Sequence, residues 1–593
     1  MLKGDGTAGN PYKIATAADL LEFADKVNNK NQTSAWAELT ADIDLSSVCS
    51  KEKGNWTPIG NSINQYRGTF NGANYTISGL YINRSADYQG LFGYVSTDDD
   101  NTGTVKDLTV SGSVSGNNYV GGVVGLNRGS VKDCDFTGSV SGSYYVGGVV
   151  GDNEGTVENC YNTGAVNNSG NRVGGVVGLN RGSVKNCYNT GNISGGISGG
   201  VVGDNRGTVE NCYNTGNISG GNSYVGGVVG DNSGPVKNCH NTGTVTGTGD
   251  YVGGVVGYNI SSVTNCYNTG TVSGIKYVGG VVGQNSDGIS ASASVTNCYN
   301  TGKVSGSSNS DVGGVVGYNE YDGIVANCYF LQGTAEKGSG NDSAEGAKSL
   351  TGDEFKKQNS FTDWDFGIAD TYTWTIHSVL GRPVLNENKE GGDGSPDSPY
   401  EIFTADELKN FATAVNNGSE KSAHAKLMNN IDLNPDMKIS EDGTVTGAHD
   451  QWIPIGNDAH QYIGTFDGNG KTIENLYIKN TTSDYYQGLF GRFNGTVQDL
   501  TVSGSVSVSD SDHVGGIVGY NSSGTVTNCA FTGSVSGSEY VGGVVGYNHS
   551  SGRVKNCYNT GKVSGSDQIG GVVGRNQGGS VQNCYNTSSV KGD

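Results

Sequence analysis

A chain of 593 residues with 100 glycines, eight prolines and a formal charge of −21 is too long for one ordinary core and calls for several domains or an elongated repeat. The glycines follow no Gly-X-Y period, which excludes collagen, and regularly recurring valines exclude a disordered low-complexity chain. The acidic balance, with no basic cluster, excludes nucleic acid and anionic lipid as partners, and no apolar run approaches the roughly 20 residues of a membrane helix.

Taken in chain order, the opening MLKGDG has no signal-peptide apolar region, so either the protein is cytosolic or an export signal lies outside this segment. Next, DGTAGNPYKIATAADLLEFADKVN places Leu20, Phe23, Ala24 and Val27 at i, i+3, i+4 and i+7 behind the N-cap candidate Thr16, which predicts a short amphipathic helix. LTADIDL, WTPIG, RGTFNGANYTISGLYIN and GLFG follow. The same order returns later as DGSPDSPYEIFTADELKNFATAVN, LMNNIDL, WIPIG and GLFG, with Leu408, Phe411, Ala412 and Val415 behind Thr404. Each helix is expected to cover the open end of a repeat array, where an uncovered strand edge would invite aggregation.

Between and after these openings the chain repeats. Aligned on cysteine, the units fall at Cys134, Cys160, Cys187, Cys212, Cys239, Cys266, Cys298 and Cys328, then at Cys529, Cys557 and Cys584, in steps of 25 to 32 residues and most often 27. Each unit reads approximately Y-V-G-G-V-V-G-x-N-x-G-x-V-x-N-C-Y-N-T-G-x-V-S-G. The hexapeptide NCYNTG occurs six times unchanged. Three β-branched runs separated by Gly and Asn, without helical period, are the arithmetic of one coil of a parallel β-helix. The predicted fold class is therefore all-β, two tandem parallel β-helices each with an N-terminal capping helix, right-handed by the crossover preference. The boundaries are 1–335 for the first helix (opening 1–105, coils 106–335), 336–387 for a linker and closing segment, and 388–593 for the second helix (opening 388–495, coils 496–593). The closing segment concentrates Trp364, Phe366, Trp374, Ile376, Val384 and Leu385, which suits a lid on the C-terminal end of the first array. The second array has no counterpart, so the native chain is expected to continue.

Stacked coils bring equivalent residues into columns. Asn127, Asn153, Asn180, Asn205, Asn232, Asn259, Asn285 and Asn319 follow the G-V-V-G strand and are expected to hold a left-handed corner and bond their amides between coils. At the tyrosine position the chain also uses Asp135, His240 and Ala530, which points outward. At the next position it uses Phe136, Phe330 and Phe531, which points inward, and the cysteine two residues earlier then also points inward. This predicts buried, unpaired thiols, since no C-x-x-C metal spacing occurs and parallel stacked side chains oppose disulfide torsion. It also predicts an exposed stripe of Tyr161, Tyr188, Tyr213, Tyr267 and Tyr299, either a structural ladder or a platform for sugar rings or a protein.

Acidic groups are the remaining chemistry. Asp98, Asp99 and Asp100 in one loop, and Asp510 and Asp512 near His513 in another, are weak candidates for Ca2+, and no other cofactor is expected. Asp152, Asp204 and Asp231 follow successive G-V-V-G strands and are expected to be solvated corners. No G-x-S-x-G elbow in a strand-to-helix setting, no histidine triad cue and no long cleft-forming loop support catalysis.

The GLFG at Gly90 to Gly93 and Gly488 to Gly491, with the G-V-V-G or G-I-V-G of later coils, resembles the GLUG repeat family of bacterial cell-surface and secreted proteins. The resemblance implies an extracellular, adhesin-like stalk, with host protein or glycan as partner and further domains on the same polypeptide. GLUG arrays also occur in immunoglobulin A-cleaving metallopeptidases, but no H-E-x-x-H is present here. The expected role is a non-catalytic adhesin or stalk; the alternative is a polysaccharide-binding or polysaccharide-cleaving β-helix, a fold that many such enzymes share.

Overall fold

A computed structural model describes residues 2–98, 102–221, 223–286, 293–307, 310–320, 322–342, 345–366, 373–385, 391–440, 445–479, 485–509 and 513–592. It divides into two compact units, Met1–Trp374 and Thr375–Asp593, each a parallel β-solenoid.

In the first unit Tyr12–Ile14 pairs in parallel with Ala37–Leu39, which pairs with the long strand Thr69–Asn83 and that with Thr104–Ser115. From there every coil pairs with the next in fixed register: Tyr161 with Tyr188, Tyr188 with Tyr213, Val150 with Val177. One wall is a nine-stranded parallel sheet running from Phe92–Val95 to Val316–Asn319. The inward valines, such as Val228, Val229, Val236 and Val245, are completely buried, so the core is a set of columns along the stacking direction.

Helix α1 (Ala17–Asn29) closes the first end. Thr16 accepts a hydrogen bond from the Asp19 amide, and Leu20, Phe23, Ala24 and Val27 are buried. Phe23 sits 5.8 to 6.4 Å from the rings of Tyr12, Tyr66 and Phe70, which caps the column of side chains below it. The second unit repeats the device. Its helix α3 (Ala405–Asn416) has a full capping box between Thr404 and Glu407 and buries Leu408, Phe411, Ala412 and Val415. Tyr400–Ile402 and Ala425–Leu427 then lead to Thr465–Lys479 and Thr496–Ser507.

The hexapeptide owes its constancy to closure between coils. Its first asparagine, at Asn159, Asn186, Asn211, Asn265 and Asn297, takes φ of 52 to 54°, the left-handed corner that asparagine tolerates best among non-glycine residues. The corner was expected at the Asn127 file and is found here instead. Because the bend breaks the backbone ladder, the amide of Cys160 has no strand carbonyl opposite it; the sulfur of Cys187 accepts it at 3.4 Å, and Cys187 is served in turn by Cys212. Each thiol donates to a carbonyl two residues back, as Cys160 does to Glu158 at 3.2 Å. All twelve cysteines are free; eleven are buried and Cys584 is partly exposed. Burial pushes the thiols of Cys160, Cys187 and Cys212 well up.

The second asparagine builds a dry amide ladder. Asn162, Asn189, Asn214, Asn241, Asn268 and Asn300 are fully buried. Each donates to a glycine carbonyl two residues on at 2.7 to 2.8 Å, and Asn162 through Asn268 each donate also to the next asparagine oxygen at 2.7 to 2.8 Å. The glycine pair opposite supplies the room: a Cβ on Gly200 would fall 2.4 Å from the Asn214 Cγ and 2.0 Å from the Gly227 carbonyl oxygen. The file from Asn127 to Asn319 forms a second ladder at 2.8 to 2.9 Å.

The first unit closes with Ala347–Leu350 laid parallel on Cys328–Leu331 and with helix α2 (Gly352–Phe355), capped by Thr351. The aromatic segment after it does not stop at the end of the solenoid, where a lid was expected. It lies along the outward tyrosines of the last coils, because those rings offer the apolar contacts that its own aromatic residues need.

Candidate functional site

The tyrosine file is the most regular outward-facing feature. Two residues after each left-handed corner, the side chain leaves the solenoid and meets its counterpart from the next coil. Ring centroids are 4.7 Å apart for Tyr161–Tyr188, 4.8 Å for Tyr188–Tyr213, 5.0 Å for Tyr213–His240, 4.7 Å for His240–Tyr267 and 4.9 Å for Tyr267–Tyr299. Interplanar angles of 3 to 9° make this a continuous parallel stack. The ring faces are turned toward one another along the stack, and edges and phenolic oxygens are turned outward. A sugar ring needs an aromatic face. Between coils no such face is left.

The file divides into two parts. Tyr161, Tyr188 and Tyr213 are half-buried. Tyr267 and Tyr299 are 0% exposed and Tyr329 3%, which corrects the expectation of one exposed stripe through Tyr299. The cover is the closing segment: Trp374 stands 6.0 Å from both Tyr267 and Tyr299, Phe355 5.7 Å from Tyr299, Trp364 5.8 Å and Phe361 5.1 Å from Tyr329. Their planes are inclined at 52 to 77° to the ladder rings, so the segment packs on ring edges. Two hydrogen bonds fix it. The Trp364 indole donates to the Asn327 carbonyl at 2.8 Å, and the Tyr329 hydroxyl accepts from the Thr362 amide at 2.8 Å. Sequence reasoning found these aromatic residues but not their seat; their absence from the repeats was the available signal.

At the other end of the file, Asp135 holds the tyrosine position, and its carboxylate accepts a hydrogen bond from Tyr161. Burial lifts the Asp135 carboxyl to about 6, and that hydrogen bond pushes the Tyr161 phenol up.

The G-V-V-G wall carries the charged groups. Asp152 and Asp204 are 1% and 2% exposed, which corrects their reading as solvated corners. The reason is pairing between coils: Arg181 Nη1 donates to both Asp152 oxygens at 2.6 and 2.8 Å, while Asp204 takes Arg172 at 2.6 Å and Arg206 at 3.0 Å. Asp231 lies in register with Asp204 on the next coil. Burial, then the Asp204 charge, lifts its carboxyl to about 6.

Of the calcium candidates, Asp98 stands 3.7 Å from Arg67, and Asp99, Asp100, Asp510 and Asp512 lie outside the described residues. Among the described residues no group of three His, Cys, Asp or Glu side chains is placed to hold a metal ion. No helix among them is long and apolar enough to cross a membrane.

Comparison with known proteins agrees with the coil description. The GLUG motif matches residues 116–141, 142–167, 169–194, 221–246, 248–273, 274–305, 308–331, 510–536, 537–564 and 565–591. A proposed Gly-rich membrane protein of Evansella cellulosilytica is 35% identical over 130 residues, 20% of this chain and 14% of that protein. Halomucin of Haloquadratum walsbyi is 32% identical over 152 residues, 21% of this chain and 2% of its own length. The chain thus matches only a small part of either relative. A crystal structure of a proposed immunoglobulin A1 protease from Bacteroides ovatus aligns over 64% of this chain and 94% of its own at 18% identity, with a TM-score of 0.29. Ten copies of the GLUG motif thus lie within the stacked coils of this chain.

Proposed function

We propose that the chain is a non-catalytic, extracellular part of a bacterial cell-surface protein, a stalk or adhesin segment that carries other domains or offers its side to a host protein or glycan. The observation that carries this reading is where the repeated polar groups go. Asparagine amides, thiols and the Asp152 and Asp204 carboxylates are used up in bonds between coils. Such bonds stiffen a solenoid and leave little to act on a substrate. The membrane and mucin names of the two relatives support a surface location.

The polysaccharide-cleaving alternative would call on Asp204 and Asp231, in register on adjacent coils, since retaining hydrolysis uses carboxyl groups about 5 Å apart. Asp204 is held by two arginines, which leaves it poorly disposed to attack. The test is twofold. Incubation of the chain with a panel of acidic and neutral polysaccharides is expected to give no new reducing ends and no unsaturated uronate; either product overturns the non-catalytic reading. Antibody against the chain is expected to label intact cells of the source organism, and labelling only after lysis overturns the surface location.

A further inference from the structure

The G-V-V-G wall lays cations on rings. Arg128 stands 5.3 Å from the Tyr94 ring centroid and bonds Glu154 at 2.7 Å, while Arg172 stands 5.6 Å from Tyr145 and bonds Asp204 at 2.6 Å. In the second unit Arg492 lies 5.9 Å from both Tyr486 and Tyr520 and bonds Asp458 at 2.9 Å. In each case a guanidinium is held between aromatic rings and a carboxylate.

Around Asp231 the rings and the carboxylate occur without the arginine. Asp231 stands in register with Tyr258, as Arg492 does with Tyr520, and the rings of Tyr224 and Tyr258 stack with centroids 4.9 Å apart. Burial, then the charge of Asp231, pushes the Tyr224 phenol up, so the carboxylate lies beside that ring. Arg181 reaches Asp152 from the residue after the ladder asparagine on the next coil, Arg206 follows that asparagine on the coil of Asp204 itself, and Arg172 stands on the coil before. Counted in the same way from Asp231, these positions hold Ile260, Ser233 and Ile197. Arg172 and Arg206 act on Asp231 through their charge, but the bonds they make go to Asp204. Among the described residues the Asp231 carboxylate accepts no hydrogen bond and joins no ion pair. Asp231, Tyr224 and Tyr258 are all half-buried.

The same groups weaken the fold. Tyr224 and Tyr251 hold φ of 50 and 63°, a left-handed corner that strains a bulky residue and that glycine or asparagine turns more easily. The Asp231 carboxyl, lifted by burial and then by Asp204, opposes folding at neutral pH. Strain of this kind is characteristic of ligand clamps.

We propose that Asp231, with Tyr224 and Tyr258, is a docking seat for an arginine side chain of a partner polypeptide, whose guanidinium donates to the carboxylate and rests against the rings. The wall's own arginines show that chemistry three times, and a formal charge of −21 draws a basic partner. The inference names the partner chemistry of the presenting role proposed above and rests on that reading in requiring that this side of the chain be accessible.

The probe is the tripeptide Gly-Arg-Gly, acetylated and amidated, titrated into the full 593-residue protein at about 0.15 M salt, which screens the general acidic field. The readout is saturation-transfer NMR from the protein to the arginine protons. Saturable transfer is expected, with the apparent Kd raised at least fivefold by Asp231→Asn and by Tyr258→Leu. It should stay unchanged in Tyr258→Phe, which keeps the ring, and in Asp353→Asn, which removes an exposed carboxylate elsewhere. Asp231→Asn relieves an unpaired charge and is expected to fold; should Tyr258→Leu lose its fold by circular dichroism, Asp231→Asn alone decides. Gly-citrulline-Gly, of the same shape without the charge, should bind at least fivefold more weakly. Equal binding of the citrulline peptide, tighter binding of Gly-Lys-Gly, or transfer that survives Asp231→Asn overturns the proposal. So does the absence of saturable transfer, and so does displacement of the peptide by cellohexaose, which would make the rings a sugar platform. A failed peptide test together with antibody labelling of intact cells removes the seat and leaves the surface reading standing, whereas labelling only after lysis removes that reading and leaves the seat measurable.

Discussion

Two files of side chains, one residue apart in the sequence, obey different rules. The inner file, Asn162 to Asn300, is buried, and every amide between its two ends both donates to and accepts from its neighbours. The outer file, Tyr161 to Tyr299, is held by stacking and accepts a histidine in its middle at 5.0 and 4.7 Å from its neighbours. Inside, a residue is specified by the two partners it must satisfy. Outside, any flat ring of suitable size will serve.

The largest effect should come from breaking the inner file. Asn214→Ala takes one acceptor from the Asn189 amide and the ladder donor from the Asn241 oxygen in a dry core, and should cost about 3 kcal/mol in urea unfolding; a cost below about 1 kcal/mol would make the ladder incidental. A smaller effect tests the charged wall. Asp231, with its carboxyl lifted to about 6, binds its proton more tightly folded than unfolded. Its contribution is therefore fully present below about pH 4, where the unfolded carboxyl also protonates, and is lost as pH rises through about 6. Asp231→Asn should raise stability at pH 7.5 by about 1 kcal/mol after allowance for solvent screening, and leave it unchanged at pH 4; equal effects at both pH values would contradict the assignment.

Ser198 sharpens the contrast from the opposite side. It is fully buried, lies in register with Val173 and Val225, and its hydroxyl has no hydrogen-bond partner. Ser198→Val should stabilise by about 1 kcal/mol, and a destabilised variant would mean that the hydroxyl is satisfied. The smallest effect belongs to the outer file: Tyr213→His, which copies the His240 arrangement, should change stability by less than about 0.5 kcal/mol. Thiol titration checks the core independently. Native protein should expose at most Cys584 to a soluble disulfide reagent, while unfolded protein should react at all twelve cysteines.

Much of this was legible in the sequence, because a repeat of one coil converts local pattern into three-dimensional contact. The 27-residue step predicted the stacking, Phe136 and Phe330 revealed the inward side, and the spacing of Leu20, Phe23, Ala24 and Val27 located the capping helix. What was not legible depended on partners that do not repeat. Asp152 and Asp204 read as surface groups because Arg181 and Arg172, which reach them from neighbouring coils, lie 29 and 32 residues away, at positions where other coils place different residues. The aromatic segment was visible as a cluster, but a non-repeating stretch has no register to say which coils it covers. The left-handed corner was assigned to Asn127 and its kin because both asparagine files follow strands, and composition alone does not separate an amide that bends the chain from one that bridges it.

The fixed register between coils also bears on how such a chain can change over generations. Since the groups one coil offers are those the next one needs, removing or duplicating a whole repeat by recombination between the near-identical gene segments would restore every amide and thiol contact at the new junction. Variation in copy number is thus structurally cheap, whereas loss of a few residues within a repeat would misalign every column above it.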